Sequence, residues 1–509
     1  MKTQHRKKHL RALISVYNKD AVRELVEVLY GFGVEMISTG GTYTFISNLG
    51  IPVTAVEDLT GYPSILGGRV KTLHPAVLGA ILCRPDLQDD LTDMDRHGLE
   101  PVDMVITDLY PFEETLTSGA SHDEIIEKID IGGITLIRAA AKNFAHVFVV
   151  PGTGYYDDAC RILMGNEGCT MLSDRKKMAS AAMDVSSHYD TLVFRYLDDD
   201  SQVVFKESIR TAEVLRYGEN PHQKGFFFGN MGEVFDQLSG KPLSYNNLLD
   251  IDAAFSLIVE CTEPTFVIVK HTNACGVATR SSIHDACHAA LAGDPVSSFG
   301  GILMANRPID SGIADSLHDL FFEVLIAPGY HPEAFQKLAQ KEKRIILQSK
   351  QYAGPSVRYR SVLNGVLLQS ADDALTKPEQ WHVATKQTAN TEQLDDLLFA
   401  NIIVKHLKSN AIALVKNKML IGTGIGQSSR VDAVKQAIMK AGAFHHDTKD
   451  AVLASDAFFP FPDCVEIAAG HGISAIVQPG GSVRDKDSVN FCDQAGVAMY
   501  FSGYRHFKH

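Results

Sequence analysis

The first 150 residues alternate short apolar runs with segments whose apolar residues recur at helical spacing. RALISV is followed by Val22, Leu25, Val26 and Leu29 on one helical face, and VEMIS and IPVTAV continue the alternation. VDMVITDLYPF and AHVFVVP are further buried-strand patterns, and the amphipathic segment SHDEIIEKI lies between them. Strands and helices that alternate in this order predict an α/β domain with a parallel sheet.

A long helical pattern, DRKKMASAAMDVSSHYDTLVFRYL, ends at the acidic run DDDSQ, and we place a domain boundary there, with domains over residues 1–200 and 201–509. In the second domain, TFVIVKHTNACGVA and SNAIALVKNKMLIGTGIGQSSRVDAV share a pattern of an apolar strand, polar residues, glycine and the start of a helix. Each is followed by an acidic and aromatic segment, DPVSSFGG or SDAFFPFPD. These parallels predict an internal duplication into two α/β lobes.

Composition narrows the class of protein. The 509 residues are 45% hydrophobic and 21% charged, which is typical of a globular chain. A net charge of −13 disfavours a general affinity for nucleic acid or anionic membranes, and no apolar run reaches the length of a membrane helix. The charge and the lack of a membrane helix lead us to expect neither nucleic-acid nor membrane partners. The eight cysteines show no CxxC pairing, so we expect reduced thiols and a cytoplasmic protein.

Two glycine-rich segments of the first domain carry candidate phosphate chemistry. STGGT lies between a strand and a helix, where backbone N–H groups and the helix dipole favour a phosphate, although such a glycine pair is also common in simple turns. In GGRVKTLHP, Arg69 and Lys71 alternate on a segment predicted to be extended, which would aim both cations to one side. The alternative for this segment is a solvated loop. The candidate phosphate-binding residues of STGGT are Ser38, Thr39, Gly40, Gly41 and Thr42.

Two further motifs of the same domain add a phenol, a carboxylate and more cations. Tyr110 lies in DLYPF, and EKIDIGGITLIRAAAKN contains Asp130 beside a double glycine. Arg138 and Lys142 are spaced i, i+4 on a helix that is otherwise alanine, leucine and isoleucine. A solvent-exposed helix face would be expected to carry more polar residues than these two cations, so the spacing favours a face that binds a ligand.

Together these four motifs resemble the cyclohydrolase domain of the bifunctional purine-biosynthesis family, whose fold is similar to methylglyoxal synthase. The resemblance implies dehydrating closure of a formamido-imidazole carboxamide ribonucleotide to inosine monophosphate. It also implies that STGGT and Arg69 hold the phosphate and that Thr72 and Arg138 contact substrate. A methylglyoxal-synthase-like lyase is the alternative enzyme. The implied catalytic group is Lys71, Tyr110, Asp130 and Lys142.

In the second domain, the apolar run FVIV of TFVIVKHTNACG leads to Lys270 and His271 at the end of a strand, where α/β folds place active sites. A histidine there can act as a general base beside the lysine. An exposed strand end with two solvated side chains is the alternative.

RYGENPHQ, VKHTNACG, DPVSSFGG, IAPGY, VKHLKSNAIALVK, GIGQSSR, SDAFFPFPD and YRHF resemble the transformylase domain of the same family. The resemblance implies formyl transfer from the cosubstrate 10-formyltetrahydrofolate to the amine of aminoimidazole carboxamide ribonucleotide. It gives His271 the role of base, Lys270 that of stabilising the intermediate and Asn410 that of orienting the formyl oxygen. The implied substrate-binding residues are Arg216, Tyr217, Gly300, Glu323, Gln427, Arg430, Phe458, Pro460, Asp463 and Arg505, with Phe458 and Pro460 flanking the folate.

The resemblance also implies a homodimer with shared formyltransferase sites and lobes similar in fold to cytidine deaminases. The H-x-E and P-C-x-x-C signature of the zinc deaminases is absent, so no metal is predicted, and a bound potassium ion stays open. His284, Cys287 and His288 share a helix face, and we interpret them as packing residues. A regulatory nucleotide-binding protein with the same fold is the alternative of another class, disfavoured by the intact proton-transfer groups.

Overall fold

The computed structural model describes residues 6–198 and 204–509, and the chain divides into two compact units, Met1–Arg210 and Thr211–His509. The boundary predicted between residues 200 and 201 lies outside the described residues.

The first unit contains a five-stranded parallel sheet with strand order β4-β3-β2-β5-β6 and a separate antiparallel pair, β1 with β7. Its strands are β1 Arg6–Lys8, β2 Arg11–Ser15, β3 Glu35–Ser38, β4 Thr54–Ala55, β5 Met104–Thr107, β6 Phe148–Val150 and β7 Cys169–Met171. Its helices are α1 Arg23–Gly31, α2 Gly40–Asn48, α3 Val56–Thr60, α4 Pro75–Leu82, α5 Gln88–Arg96, α6 Phe112–Thr117, α7 His122–Ile126, α8 Gly132–Lys142, α9 Tyr156–Gly165 and α10 Leu172–Leu197.

The predicted parallel sheet is confirmed, and its strands are buried because helices cover them. The simple turn that was the alternative interpretation of STGGT does not form, because α2 begins at Gly40, which has a φ of +52°. The carboxyl ends of β2, β3 and β5 meet at one edge of the sheet, where an α/β fold places its ligand.

The second unit is built on a twelve-stranded sheet with order β10-β15-β14-β13-β11-β12-β20-β19-β21-β22-β23-β18. Its strands are β8 Ala212–Leu215, β9 Gly225–Phe228, β10 Phe235–Ser239, β11 Thr265–Lys270, β12 Asn273–Thr279, β13 Ile302–Ala305, β14 Val324–Ala327, β15 Ile345–Ser349, β16 Val357–Val362, β17 Gly365–Ser370, β18 His382–Val383, β19 Ile412–Lys416, β20 Met419–Gly424, β21 Val452–Ser455, β22 Ala475–Gln478 and β23 Ala498–Phe501. Its helices are α11 Tyr245–Ile258, α12 Ile283–Gly293, α13 Ser311–Ser316, α14 Pro332–Ala339, α15 Thr391–Lys405, α16 Arg430–Ala443, α17 Asp463–Gly470 and α18 Asp485–Ala495.

The strand order is symmetric about the β12–β20 pair. Reading outward from this pair, β12, β11, β13, β14, β15 and β10 of one lobe correspond to β20, β19, β21, β22, β23 and β18 of the other. The predicted duplication is thereby confirmed. The pairing of DPVSSFGG with SDAFFPFPD is wrong, however, because the first precedes β13 whereas the second begins within β21, its counterpart. Their shared composition therefore does not reflect a shared position in the repeat.

The segment after Lys270 also differs from the prediction of a helix start. It forms β12, which pairs antiparallel with β11 through a turn at His271 and Thr272, whose φ values are +53° and +62°. Positive φ at both central residues is the conformation that suits a two-residue hairpin. The second lobe repeats this hairpin in β19 and β20, with its turn at Asn417 and Lys418.

Within the described residues, no helix has both the length and the apolar character needed to cross a membrane. The eight cysteines are free.

Candidate active sites

A cavity of about 790 Å³ lies at the carboxyl edge of the first unit's sheet. Pockets for small ligands commonly enclose about 300–1,000 Å³, so this volume accommodates a nucleotide. The predicted residues that line it are Thr39, Gly41, Thr42, Arg69, Lys71, Thr72, Tyr110 and Asp130. Residues that the sequence did not single out also line it: Tyr17, Lys19, Asp108, Glu127 and Lys128.

One wall of the cavity is the amino-terminal end of α2. Thr39 precedes the helix in an extended conformation, is 2% exposed, and its Oγ1 has no hydrogen-bond partner among the described residues. A buried hydroxyl without a partner is costly, so its position favours a polar ligand at this helix end. Ser38 is instead used by the sheet, since its Oγ donates to the Ile14 carbonyl at 2.7 Å. Thr42 Oγ1 joins the helix to the residue that follows β2 by donating to the Val16 carbonyl at 2.9 Å.

Arg69 and Lys71 of GGRVKTLHP line the cavity, but the backbone conformation of this segment differs from the prediction. The segment is not extended, because Leu66–Gly68 forms a 3-10 turn in which Gly67 and Gly68 have φ values of +66° and +93°. Arg69 forms an ion pair with Glu127. Lys71 approaches α2 closely, and a Cβ on Gly40 would lie 3.5 Å from the Lys71 Nζ.

Asp130 is held by main-chain donors at the start of α8. Its carboxylate accepts hydrogen bonds from the Gly133 N–H at 2.6 Å and the Tyr110 N–H at 3.3 Å. Burial raises the pKa of Asp130 above its ordinary value, although these N–H groups oppose the shift. The double glycine suits this close packing, since a Cβ on Gly133 would lie 3.0 Å from the carboxylate oxygens and one on Gly132 would lie 3.1 Å from Thr72 Oγ1, both tighter than most Cβ contacts. The fold therefore brings Asp130 and Tyr110, which come from two different motifs of the sequence, into contact.

Asp108 supports the loop opposite Asp130. Its carboxylate accepts hydrogen bonds from the main-chain N–H groups of Tyr17 and Asn18, the latter at 2.9 Å, and burial raises its pKa. Burial also raises the pKa of the Tyr110 phenol. Two carboxyl groups and a phenol, each less acidic than in water, thus share one cavity with several cations.

The structure does not bring Arg138 and Lys142 into this cavity. Of the described residues, those that line it include neither side chain. Lys142 is the last residue of α8, and ten residues of helix place it about 15 Å along the axis from Gly132. Arg138 Nη1 donates to Ser186 Oγ on α10 at 3.1 Å. The i, i+4 spacing correctly indicates one helix face, but that face lies away from the cavity.

In the second unit, Lys270 and His271 end β11 and begin the hairpin turn. Lys270 Nζ donates to the Phe299 carbonyl at 2.7 Å, which connects it to the segment preceding β13. The His271 side chain is exposed. The Lys408 N–H donates to Asn273 Oδ1 at 2.9 Å, so the turn also contacts the segment that contains Asn410.

A carboxylate that the sequence analysis missed fixes this turn. Asp250 on α11 accepts hydrogen bonds from the main-chain N–H groups of His271 at 3.3 Å and Thr272 at 2.6 Å, and burial raises its pKa. Asp396 on α15 does the same for Asn417 and Lys418, at 2.7 and 2.5 Å. Each aspartate lies 21 residues before the first residue of its turn, a repeated spacing that was available in the sequence.

Asn410, Gln427 and Arg430 form a second group. The Asn410 amide oxygen accepts from Arg430 Nη2 at 2.7 Å, and its amide nitrogen donates to the Gln427 carbonyl at 2.8 Å. Arg430 is 7% exposed and forms a buried ion pair with Asp456, which is fully buried. Arg430 therefore orients Asn410, whose second amide N–H is free to donate to a ligand.

The remaining predicted residues of the second unit are dispersed over loops and helix ends. The Gly300 N–H donates to the Phe321 carbonyl, and Glu323 pairs with Lys241 at 2.6 Å, so its carboxylate already has a cationic partner. Arg216 contacts the Tyr217 ring, and Arg505 contacts the Phe507 ring, with guanidinium-to-centroid distances of 4.7 and 4.4 Å. Phe458 and Pro460 are exposed after β21, and Asp463 begins α17.

No group of three or more histidine, cysteine or acidic side chains among residues 6–198 and 204–509 has a geometry suited to a metal ion. His284 and His288 pack ring to ring at 4.6 Å, and Cys287 is buried in α12.

The fold and these sites define a two-unit α/β protein with a parallel-sheet unit and a duplicated unit. The model of the family described as MGS-like domain matches residues 21–135, and that of the AICARFT/IMPCHase bienzyme matches residues 140–440. A protein of Bacteroides thetaiotaomicron described as bifunctional purine biosynthesis protein PurH is 53% identical over 98% of this chain and 98% of its own length. Proteins of the same description from Acetivibrio thermocellus and Aquifex aeolicus are 44% and 43% identical, each over 98% of this chain and over 99% and 100% of their own lengths.

The chain therefore belongs to the AICARFT/IMPCHase bienzyme family. A solved structure titled "Crystal structure of ForH" is 32% identical over 37% of this chain and 100% of its own, with a TM-score of 0.33.

Proposed function

We propose that this chain is a bifunctional enzyme that performs the last two steps of inosine monophosphate synthesis, as its family does. Formyl transfer to aminoimidazole carboxamide ribonucleotide is assigned to the second unit, and ring closure of the formylated product to the first. The observation that carries the proposal is the first unit's cavity, where a helix amino terminus, a lysine, a phenol and a buried carboxylate surround a nucleotide-sized volume.

Ring closure requires the carboxamide nitrogen to attack the formyl carbon and the formyl oxygen to leave as water. Asp130 accepts the proton of the attacking nitrogen, and its raised pKa strengthens it as a base. Lys71 stabilises the negative charge that develops on the formyl oxygen, and the Tyr110 phenol protonates that oxygen to a hydroxyl. The hydroxyl leaves as water with the proton held by Asp130, and the formamido nitrogen returns its proton to the Tyr110 oxygen as the C=N bond forms. The unpartnered Thr39 hydroxyl and the α2 amino terminus bind the ribonucleotide phosphate.

Formyl transfer asks for a base, because the exocyclic amine of the substrate is a weak nucleophile. His271 accepts the amine proton from its exposed position on a turn that Asp250 fixes. Lys270 stabilises the tetrahedral intermediate, and Asn410, oriented by Arg430, donates its free N–H to the formyl oxygen. The cosubstrate is 10-formyltetrahydrofolate, flanked by the exposed Phe458 and Pro460.

We further propose a homodimer with formyltransferase sites shared between subunits. The β16–β17 hairpin supports it, because its apolar side chains face solvent in the single chain, with Leu363 fully exposed and Leu367 58% exposed. A cytoplasmic location fits the eight unpaired cysteines, which a reducing compartment maintains.

Two variants test the assignment of one reaction to each unit. Lys71→Met should abolish ring closure while formyl transfer continues, so that the formylated ribonucleotide accumulates. Lys270→Met should do the reverse, with ring closure measured on supplied formylated ribonucleotide. Each variant is the folding control for the other, and loss of both reactions in either folded variant would contradict the assignment.

A further inference from the structure

Tyr17, Tyr110 and Lys128 form an aromatic cluster in the wall of the first unit's cavity. The two rings meet edge to face, with centroids 5.6 Å apart and an angle of 84°. The Lys128 Nζ lies 5.7 Å from the Tyr17 centroid and 5.9 Å from the Tyr110 centroid. Both distances lie within the range of about 6 Å for a cation–π interaction.

The Lys128 ammonium is not neutralised by a neighbour. Its Nζ makes no ion pair or hydrogen bond with another of the described residues, whereas Arg69 of the same cavity is paired with Glu127. Glu127, although adjacent in sequence, is therefore occupied by another cation. The contacts that the described residues provide for this ammonium are therefore the Tyr17 and Tyr110 rings.

The main chain beneath the aromatic cluster is fixed by a single phenol. The Tyr189 hydroxyl donates to the Lys128 carbonyl at 2.8 Å and accepts the Asp130 N–H at 2.7 Å. Asp130 in turn accepts the Tyr110 N–H. The segment from Lys128 to Asp130 thus contacts Tyr110 at two points. Asp130 binds the Tyr110 main-chain N–H, and Lys128 lies over the Tyr110 ring.

We infer that Lys128 is a positioning residue for ring closure, which holds the Tyr110 phenol in its reactive orientation by bridging the Tyr17 and Tyr110 rings. The inference rests on the proposed ring-closing function of this unit and on the role of Tyr110 in it. A phenol that turns away from the leaving oxygen protonates it less efficiently. Loss of Lys128 should therefore lower kcat and leave substrate affinity unchanged.

The test measures kcat and KM for ring closure in the full chain with supplied formylated ribonucleotide. Lys128→Met removes the charge and keeps a long apolar side chain, and we expect kcat to fall by about 2- to 30-fold with KM unchanged. Lys128→Arg should restore most of the turnover, since a guanidinium also binds aromatic faces. Lys206→Met is the matched control, because Lys206 lies 4.4 Å from the Phe194 centroid in the same unit and does not line the cavity.

A double variant separates action through Tyr110 from an independent role. In a Tyr110→Phe background the ring remains but the phenol is gone, so Lys128→Met should cause no further loss of turnover. Multiplicative losses, a change confined to KM, or full activity of Lys128→Met would each overturn the inference. If the wild-type chain fails to close the ring, the proposed function fails, and this result is distinct from a wild type that works and a variant that works equally well.

Discussion

Replacing Arg430 by methionine tests the buried ion pair beneath the proposed formyl-transfer site. The Arg430 side chain is 6% exposed and its partner Asp456 is fully buried, so Arg430→Met leaves a carboxylate buried without its cation. Breaking such a pair from one side typically costs about 3–5 kcal/mol. The Asp456 carboxylate retains the Ser409 hydroxyl at 2.5 Å, but a neutral donor does not replace the lost charge.

This cost translates into a measurable shift in melting temperature. The second unit has about 300 residues, and an unfolding entropy of about 2.1 cal/mol/K per residue gives about 0.6 kcal/mol/K for it. A loss of about 3–5 kcal/mol then lowers the melting temperature by roughly 5–8 °C. Scanning calorimetry of the full chain measures this shift directly.

Two further variants isolate the cause. Lys337→Met is the matched surface control, because Lys337 pairs with Asp315 at 2.6 Å while both side chains are well exposed, and its loss should cost less than about 1 kcal/mol. Adding Asp456→Asn to Arg430→Met removes the unpaired charge and should recover part of the stability. A shift for Arg430→Met no larger than that of the surface control would refute the reasoning.

Two predictions concern catalysis. His271→Ala should lower formyl-transfer turnover by about 10²- to 10⁴-fold while ring closure is unchanged, and near wild-type turnover at saturating substrates would exclude His271 as the base. The rate of ring closure should fall at acid pH as Asp130 takes up a proton, and because burial raises its pKa, the fall should begin above the ordinary aspartate value of about 3.9. Asp130→Asn should remove this acid limb, and a pH–rate profile in which the limb persists would assign it to another group.

Much of the first unit follows from its sequence, because its strands and helices alternate with strong periodicity and its motifs lie where strands end. The helix of Arg138 and Lys142 is correctly predicted, but periodicity gives the face of a helix and not its neighbour. Contact with α10, which only the folded chain shows, decides the position of Arg138. Tyr17 belongs to no motif, and Lys128 lies in EKIDIGGITLIRAAAKN without any signal of its own, so their contact could not be predicted because the two residues meet only through the fold.

In the second unit, the strand after Lys270 was missed because its small and apolar residues, with a glycine, also fit the beginning of a helix. The turn that separates the strands depends on positive φ at His271 and Thr272, and a β-branched threonine argues against that conformation. The supporting aspartates could have been found, since Asp250 and Asp396 precede equivalent turns by the same 21 residues. A repeat in sequence therefore predicts supporting residues as well as strands.

The central claim is that one chain performs both reactions, and a coupled assay tests it most directly. The purified wild-type protein is given aminoimidazole carboxamide ribonucleotide and 10-formyltetrahydrofolate, and tetrahydrofolate and inosine monophosphate are followed separately. We predict that both products form, with inosine monophosphate absent when the folate is omitted and restored when the formylated ribonucleotide is supplied instead. Formation of tetrahydrofolate without inosine monophosphate, or of neither product, by the folded protein would contradict the claim.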